Sequence, residues 1–204
     1  RKIYIHYDHA GRKVAEVNHL GEIIEYRYDQ ANRLVATISR ATALGASALA
    51  TLTDPNNGVD LSTLLPAPNA QDVWSWNIYD DGGRLVQAID NLGGTVVHEY
   101  DQSDRLIRST AYATALSAGQ LSTFKTAFPT APVLPAGNPA DAVTRLFYDA
   151  AGQLVGTLDG AGYLTETVLD RTGLAIRQIA YATITPSGLR ASGSFADLRN
   201  AVAG

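Results

Sequence analysis

The sequence predicts a mainly β protein, built as a repetitive array of antiparallel β-hairpins or as a spiralling sheet, with short helical inserts. Three observations predict this fold. A turn tetrapeptide recurs nine times at regular spacing, the segments between the turns have the composition of strands, and longer inserts separate the turns into three groups. Such self-similarity at a fixed period is the signature of a repeat architecture.

The tetrapeptide has Asp or Asn at its first position and Gly, Asn or Asp at its fourth. A first-position side chain of this kind accepts hydrogen bonds from nearby backbone amides, and the fourth-position residues tolerate a left-handed backbone. Within each group, the starting positions advance by 10 residues and then by 11. The nine copies begin at Asp8, Asn18, Asp29, Asp80, Asp90, Asp101, Asp149, Asp159 and Asp170. Each group therefore predicts a meander of about four short strands.

The segments that flank the turns are rich in β-branched and aromatic residues, which favour strands at hairpin spacing. Strands that lead into the three groups are predicted over residues 2–7, 73–79 and 143–148. The strands between turns are predicted over residues 12–17, 22–28, 85–89, 95–100 and 154–158. All eight prolines lie outside these meanders, as expected if every backbone N–H is needed for strand pairing only there.

The inserts between the meanders also repeat. They share a tripeptide that recurs after 72 and then 69 residues, as Arg40-Ala41-Thr42, Tyr112-Ala113-Thr114 and Tyr181-Ala182-Thr183. Apolar residues at helical spacing follow in the second and third inserts, and more weakly in the first. They are Leu121, Phe124 and Phe128, then Phe195, Leu198 and Val202, and in the first insert Leu44, Leu49 and Leu52. The inserts therefore predict one short helix each.

Two of these helices carry a sequence signal for their first residue. Ser117 with Gln120 resembles a capping box, and Ser194 is placed to cap the later helix with Asp197 in its first turn.

The repeat divides the chain into three units: residues 1–72, 73–141 and 142–204, the last of which stops inside its insert. The chain opens in the middle of the pattern and contains no Met, so we expect a segment of a longer or processed protein. A four-stranded meander alone has two open edges and one apolar face. We therefore expect flanking repeats of the same chain, or identical subunits, as partners.

The composition argues against several classes of partner. The formal net charge is −4 and the chain has only three lysines, so a basic patch for nucleic acid is not expected. The lack of Cys excludes disulfides, Cys-ligated zinc and a thiol nucleophile. No apolar run approaches the roughly 20 residues that a membrane span needs.

No sequence pattern points to catalysis, a metal or a cofactor. We therefore predict that the protein is not an enzyme and that it binds neither a metal nor a cofactor. Nucleophile elbow, Walker loop and dinucleotide fingerprint are all missing. The four histidines are too scattered to converge on zinc. Residues 54–60 resemble a calcium loop, but their Gly comes fifth instead of sixth, and a simple Pro-Asn-Asn-Gly turn explains them better.

Trp74 and Trp76 are the candidate ligand-binding residues. They are two residues apart on one predicted strand and therefore share a face. Such a pair is usually packed in the core or between units. An exposed pair would instead form a platform on which sugar rings stack. A glycan- or receptor-binding adhesion module is therefore the alternative function.

The longer motif Tyr-Asp-x-x-Gly-Arg-Leu-Val resembles the YD repeat of the Rhs family, which also occurs in the shell of bacterial toxin-complex proteins and in teneurins. Six copies in register carry the resemblance and cover about half of the chain. They begin at Tyr7, Tyr28, Tyr79, Tyr100, Tyr148 and Leu169, the last copy having lost its Tyr.

The resemblance implies a hairpin sheet that spirals into a hollow shell, which encloses a toxin or builds an extracellular structure. We therefore expect a non-enzymatic structural segment of a large bacterial protein that is secreted or exposed on the cell surface. It would build a shell or a filament, with an enclosed toxin domain as a further partner in the shell.

Overall fold

The fold is mainly β, as predicted. The computed structural model describes residues 2–54 and 59–203 of the chain, and the candidate calcium loop falls partly on residues 55–58, outside the described residues. Over the described residues, twelve antiparallel strands form one open sheet, in which each strand pairs with its neighbours in chain order.

The strands come in three groups of four, and each group is followed by its insert. The strands are β1 (Ile3–Tyr7), β2 (Lys13–Asn18), β3 (Ile23–Tyr28), β4 (Leu34–Ser39), β5 (Val73–Tyr79), β6 (Leu85–Ile89), β7 (Thr95–Tyr100), β8 (Leu106–Tyr112), β9 (Ala142–Tyr148), β10 (Leu154–Leu158), β11 (Leu164–Leu169) and β12 (Ala175–Ala180). The helices are α1 (Ala46–Thr53), α2 (Ala118–Phe124), α3 (Ser187–Arg190) and α4 (Phe195–Val202), with a 3-10 turn at Leu61–Thr63.

Each repeated tetrapeptide reverses the chain between two consecutive strands. In the first copy the Gly11 N–H donates to the Asp8 carbonyl at 3.0 Å. The fourth residue has a positive φ in all nine copies, including Asn32 at 62° and Asp104 at 61°, where Gly is replaced. The predicted turn chemistry is therefore confirmed.

The chain forms two compact units, which are described separately. The first consists of Arg1–Gly83, Ala88–Gly93 and Ser117–Ala131, and the second of Arg84–Gln87, Gly94–Leu116 and Pro132–Gly204. The division into three sequence units, residues 1–72, 73–141 and 142–204, describes the sequence repeat and stays a prediction.

The first unit buries one face of its strands under the first insert. Val17 and Ile23 lie opposite each other on β2 and β3 and are 0% and 2% exposed. Leu44 and Leu61 of the insert complete this cluster, and apolar residues of α1 pack against it. The insert is also held by its backbone, because the Leu44 N–H donates to the Gly21 carbonyl at 2.9 Å.

The second unit repeats this arrangement with α4. Leu158 and Leu164 of the sheet pack against Leu198 and Val202, which lie on one face of the helix. Gly156 makes room for this helix, because a Cβ built there would lie 2.3 Å from the ring of Phe195.

The predicted capping box of Ser117 with Gln120 is present. Ser194 caps α4 as predicted, and Asp197 in the first turn completes a second capping box with it. Three helical expectations differ from the structure. Leu44 precedes the start of α1, and the third insert contains two helices, α3 and α4, where one was predicted. Phe128 lies beyond the end of α2 and is 39% exposed. It precedes Pro129, and the residue before a proline is disfavoured in the α conformation.

Candidate functional site

The Tyr-Asp turns carry a set of polar contacts that repeats along the sheet. In the first copy, Oδ1 of Asp8 accepts hydrogen bonds from the Ala10 and Arg12 N–H groups, both at 2.9 Å. Oδ2 accepts from Nε of Arg12 at 2.7 Å. Asp29 and Asp101 make the same three contacts with the equivalent residues of their own turns. The aspartate therefore fixes both the turn and the arginine that follows it.

The arginine then reaches the next Tyr-Asp turn. The guanidinium of Arg33 lies 5.0 Å from the ring centroid of Tyr79, and its Nη1 donates to the Asp80 carbonyl at 2.8 Å. In return, the Tyr79 hydroxyl donates to the Leu34 carbonyl at 3.1 Å. One arginine thus joins its own turn to the tyrosine of the following turn. We call the contact of this arginine with the tyrosine ring, together with the bond from the tyrosine hydroxyl to the carbonyl after the arginine, the Tyr–Asp–Arg link.

Each compact unit contains two such links. Their arginine-to-ring distances are 5.1 Å for Arg12 over Tyr28 and 5.0 Å for Arg33 over Tyr79 in the first unit, and 5.1 Å for Arg84 over Tyr100 and 4.6 Å for Arg105 over Tyr148 in the second. The tyrosine hydroxyl donates in every link to the carbonyl of the residue directly after the arginine.

The link weakens at the last two motif copies. Gln153 stands where the arginine is expected, and its amide nitrogen donates to the Gly173 carbonyl at 3.1 Å. Leu169 stands where the tyrosine is expected, so this contact has no aromatic ring above it. A neutral hydrogen bond therefore replaces a charged one that is stacked on a ring.

The electrostatics of the link fit a structural role. The Arg12 backbone N–H and guanidinium hold the pKa of Asp8 below its usual range, and the Arg105 guanidinium and N–H do the same for the pKa of Asp101. These carboxylates are therefore ionised at neutral pH, and their oxygens are engaged by donors. Such groups hold hairpins together and are poorly suited to proton transfer.

The sequence identified Asp as a turn former, but it did not show what the arginine does. The available signal was its position directly after the fourth turn residue, in four of six copies. Its partner lies on another hairpin, so no local rule connects the two.

A second repeated contact closes the inserts. Oδ1 of Asp72 accepts from the Ala41 N–H at 2.9 Å, and Oδ2 accepts from the Asn69 N–H at 3.0 Å. Asp141 makes the same pair of bonds, at 2.8 and 2.9 Å, with the equivalent residues of the second insert. The signal for this site was an Asn-x-x-Asp sequence that recurs after 69 residues.

The first insert adds a buried ion network to this closure. Arg40 is bonded both to Glu25 and to Asp72, the latter at 2.8 Å, and the three side chains are 6%, 3% and 1% exposed. Burial alone raises the pKa of Asp72, but bonds from two backbone N–H groups and from Arg40 outweigh burial and lower that pKa. In the second insert Tyr112 stands where Arg40 does in the first, so the network is not repeated.

Trp74 and Trp76 share one face of β5, and their rings stack with centroids 5.9 Å apart at 16°. Trp76 is 1% exposed and packs edge-on against Phe124 of α2. Trp74 is half-buried and lines a cleft of about 350 Å³ together with Asn91 and Lys125. Ligand stacking on this pair stays a prediction, and only Trp74 offers surface for it.

The described residues contain no cluster of three or more His, Cys, Asp or Glu side chains that could hold a metal ion. Nε2 of His6 is buried without a hydrogen-bond partner in this part of the chain, and Nδ1 of His98 lies 2.8 Å from the Ser109 hydroxyl. Among the helices of residues 2–54 and 59–203, none is long and apolar enough to cross a membrane.

No protein-family model and no curated protein matches this sequence. Solved structures do match it. The crystal structure of TcdB2-TccC3-TEV is 12% identical over 87% of this chain, with a TM-score of 0.55. That of TcdB2-TccC3 without its hypervariable C-terminal region is 12% identical over 90%, with a TM-score of 0.52. A pore structure of the Photorhabdus luminescens Tc holotoxin with a mutated TccC3 is 20% identical over 96%, with a TM-score of 0.49.

This chain spans 8% of the length of each of these three chains. At such low identity a likeness reports on architecture alone. The conclusion from the two crystal structures is that this chain shares the fold of a short stretch of the TcdB2-TccC3 protein.

Proposed function

We propose that this chain is a non-enzymatic structural segment of a large secreted or surface-exposed bacterial protein, in which it forms part of the wall of a shell or filament. The observation that carries the proposal is the Tyr–Asp–Arg link, because in it the conspicuous motif residues join one hairpin to the next. The YD-repeat resemblance and the fold shared with the TcdB2-TccC3 structures support the same role.

The two outer strands of the sheet support a continuation on either side. β1 pairs only with β2, and β12 only with β11, so each leaves one edge of backbone groups without a neighbouring strand among the described residues. Ile3 and Tyr7 on β1 are both 61% exposed, and Leu174 and Ile176 at β12 are 66% and 65% exposed. Long apolar edges favour pairing with further strands. We infer that flanking repeats or identical subunits cover them.

The test is electron microscopy of the native, unproteolysed assembly that contains this segment. Regular fibres with an axial repeat that matches the repeated unit, or closed hollow particles, are the expected results. Hollow particles would add an enclosed protein as the partner to be identified. A compact monomer whose sheet edges are capped by its own chain would overturn the proposal.

A matched pair of variants tests the edge directly. Ile5→Lys places a charge on β1, where the side chain is 46% exposed, and should weaken assembly. Leu92→Lys is the control, because Leu92 is 76% exposed in a turn and lies away from the outer strands. Equal assembly of both variants and the natural chain would count against edge pairing.

The second candidate function is a glycan- or receptor-binding adhesion module, for which the half-buried Trp74 beside Asn91 and Lys125 is the specific observation. An aromatic ring next to polar side chains suits a sugar. A glycan array should then detect a saturable ligand that Trp74→Ala abolishes. The absence of any such ligand would remove this candidate.

A further inference from the structure

A cleft in the second unit gathers three arginines. It has a volume of about 550 Å³ and is lined by β7 to β9 and by the segment that precedes α4. Arg108 and Arg145 lie directly opposite each other on β8 and β9, and Arg105 lines the same cleft. Cross-strand neighbours are in side-chain contact range, and two like charges in that position repel each other. An arrangement of this kind is costly unless an anion offsets it.

The acidic residues of the cleft do not balance its arginines. Asp101 is engaged by Arg105, at 2.7 Å. Glu99 is the remaining carboxylate of the lining; its side chain is 52% exposed and lies 3.6 Å from Arg108. No carboxylate of the described residues pairs with Arg145, so two carboxylates face three guanidinium groups. The cleft therefore carries one surplus positive charge.

The protein contacts of the two opposed arginines use only part of their donors. Nη2 of Arg108 donates to the Ala191 carbonyl, and Nη1 of Arg145 donates to the Arg190 and Gly193 carbonyls, at 3.1 and 2.8 Å. A guanidinium has five N–H donors. These hydrogen bonds hold the segment before α4 in place. The carbonyls are neutral, however, and do not supply the negative charge that would balance the two arginines.

The surroundings strengthen a charged interaction. Arg145 lies 4.8 Å from the ring centroid of Phe147, which is in turn 5.6 Å from the ring of Phe195. Burial, together with the charge of Arg108, lowers the pKa of Arg145. Charged hydrogen bonds gain strength beside apolar surface of this kind, because water competes less with the ligand.

We propose that this cleft is an oxyanion site, in which Arg108 and Arg145 together bind a carboxylate or phosphate group. Planar guanidinium groups match both anions in bidentate geometry. The proposal does not depend on the N-terminal amides of α4, where the Asp197 N–H already donates to the Ser194 hydroxyl in the capping box. The carboxylate would come from an acidic side chain or chain terminus, and the phosphate from a small molecule.

The test is an NMR titration of the 204-residue chain with inorganic phosphate and, separately, with sodium acetate, each at ionic strength held constant with sodium chloride. Saturable shifts of the amides of residues 192–195 are expected with at least one of the two anions. Shifts with acetate alone identify a carboxylate site, and shifts with phosphate alone identify a phosphate site. If neither anion produces a saturable shift, the proposal is overturned, whatever the variants show.

The variants locate the site. Arg145→Met should weaken binding about tenfold or more, which is the range expected for the loss of a charge-assisted bidentate contact. Arg108→Met is the second variant, in case the first disturbs the segment before α4, and the amide spectrum reports the fold of each. Arg199→Gln is the matched control, since it removes one positive charge that is paired with Glu166 at 3.4 Å. Equal weakening by the control, or full binding by both Met variants, overturns the assignment.

Discussion

At the scale of single residues, the YD motif is a set of positions that serve two neighbouring hairpins at once. The aspartate is a local residue, because it bonds to the N–H groups two and four positions on. The arginine and tyrosine are long-range residues, since Arg33 and Tyr79 are 46 positions apart in the chain. This explains why a turn rule predicts Asp and Gly from the sequence while the partner of the arginine needs the structure.

The first prediction concerns this arginine. Arg33→Met should lower the free energy of unfolding by about 1 to 2 kcal/mol, because it removes contacts with Asp29, the Tyr79 ring and the Asp80 carbonyl. The loss should be no larger because 31% of the Arg33 side chain is exposed, and water weakens its charged contacts. Denaturant unfolding measures it. Arg171→Met, at an exposed turn position, is the control, and an equal loss in both variants would contradict a role for the link.

The second prediction separates backbone conformation from close packing in the turns. Gly83→Ala should cost about 1 kcal/mol, since φ is +83° but no atom lies within 4 Å of the new Cβ. Gly21→Ala has a similar φ of +82°, yet its Cβ would lie 2.6 Å from the Leu44 carbonyl oxygen. It should therefore cost about 3 kcal/mol. Thermal or denaturant unfolding that gave the two variants equal stability would show that the insert does not constrain this turn.

At the scale of elements, the parts of the fold that depend on nearby residues were predictable and the parts closed by distant residues were not. Strand β6 has the predicted bounds, and both capping boxes form, because each depends on a few adjacent residues. The insert closure by Asp72 and Ala41 joins residues 31 positions apart. No periodicity marks such a pair, although the recurrence of Asn-x-x-Asp shows that it is part of the repeat.

The third prediction compares Asp72, which belongs to the buried ion network of the first insert, with Asp141, its equivalent in the second insert, which has no such network. Asp72→Asn should lower the free energy of unfolding by about 3 kcal/mol, because it leaves Arg40 with one buried carboxylate and places an amide where two donors point. Asp141→Asn is the matched control, with the same backbone bonds and no buried arginine, and should cost about 1 kcal/mol. Urea unfolding measures both. Equal losses would show that the ion network adds nothing beyond the backbone bonds.

At the scale of the whole molecule, the fourth prediction is a loss of stability in acid that occurs in two stages. Burial lowers the pKa of His6 and of His98, so the unfolded chain takes up protons first as pH falls below 6.5. The pKa values of Asp8, Asp72 and Asp101 are also lowered, which adds a second loss of stability as pH falls below 3.8. Urea unfolding between pH 8 and pH 3 measures both stages. Stability that rises as pH falls below 6.5 would contradict the prediction.

The Tyr–Asp–Arg link also gives the sheet a direction. In each of the four links the arginine contacts a tyrosine that comes later in the chain, so each of these tyrosines is contacted by an arginine that precedes it. Tyr7 on β1 holds the tyrosine position of the first motif copy and is 61% exposed, so under the proposed function it would contact the arginine of a preceding hairpin. Before β12, at the other end of the sheet, Leu174 stands at the arginine position, so the last motif copy has no guanidinium with which to contact a later tyrosine. If further hairpins continue the sheet, as we propose, the two outer strands would therefore accept different neighbours.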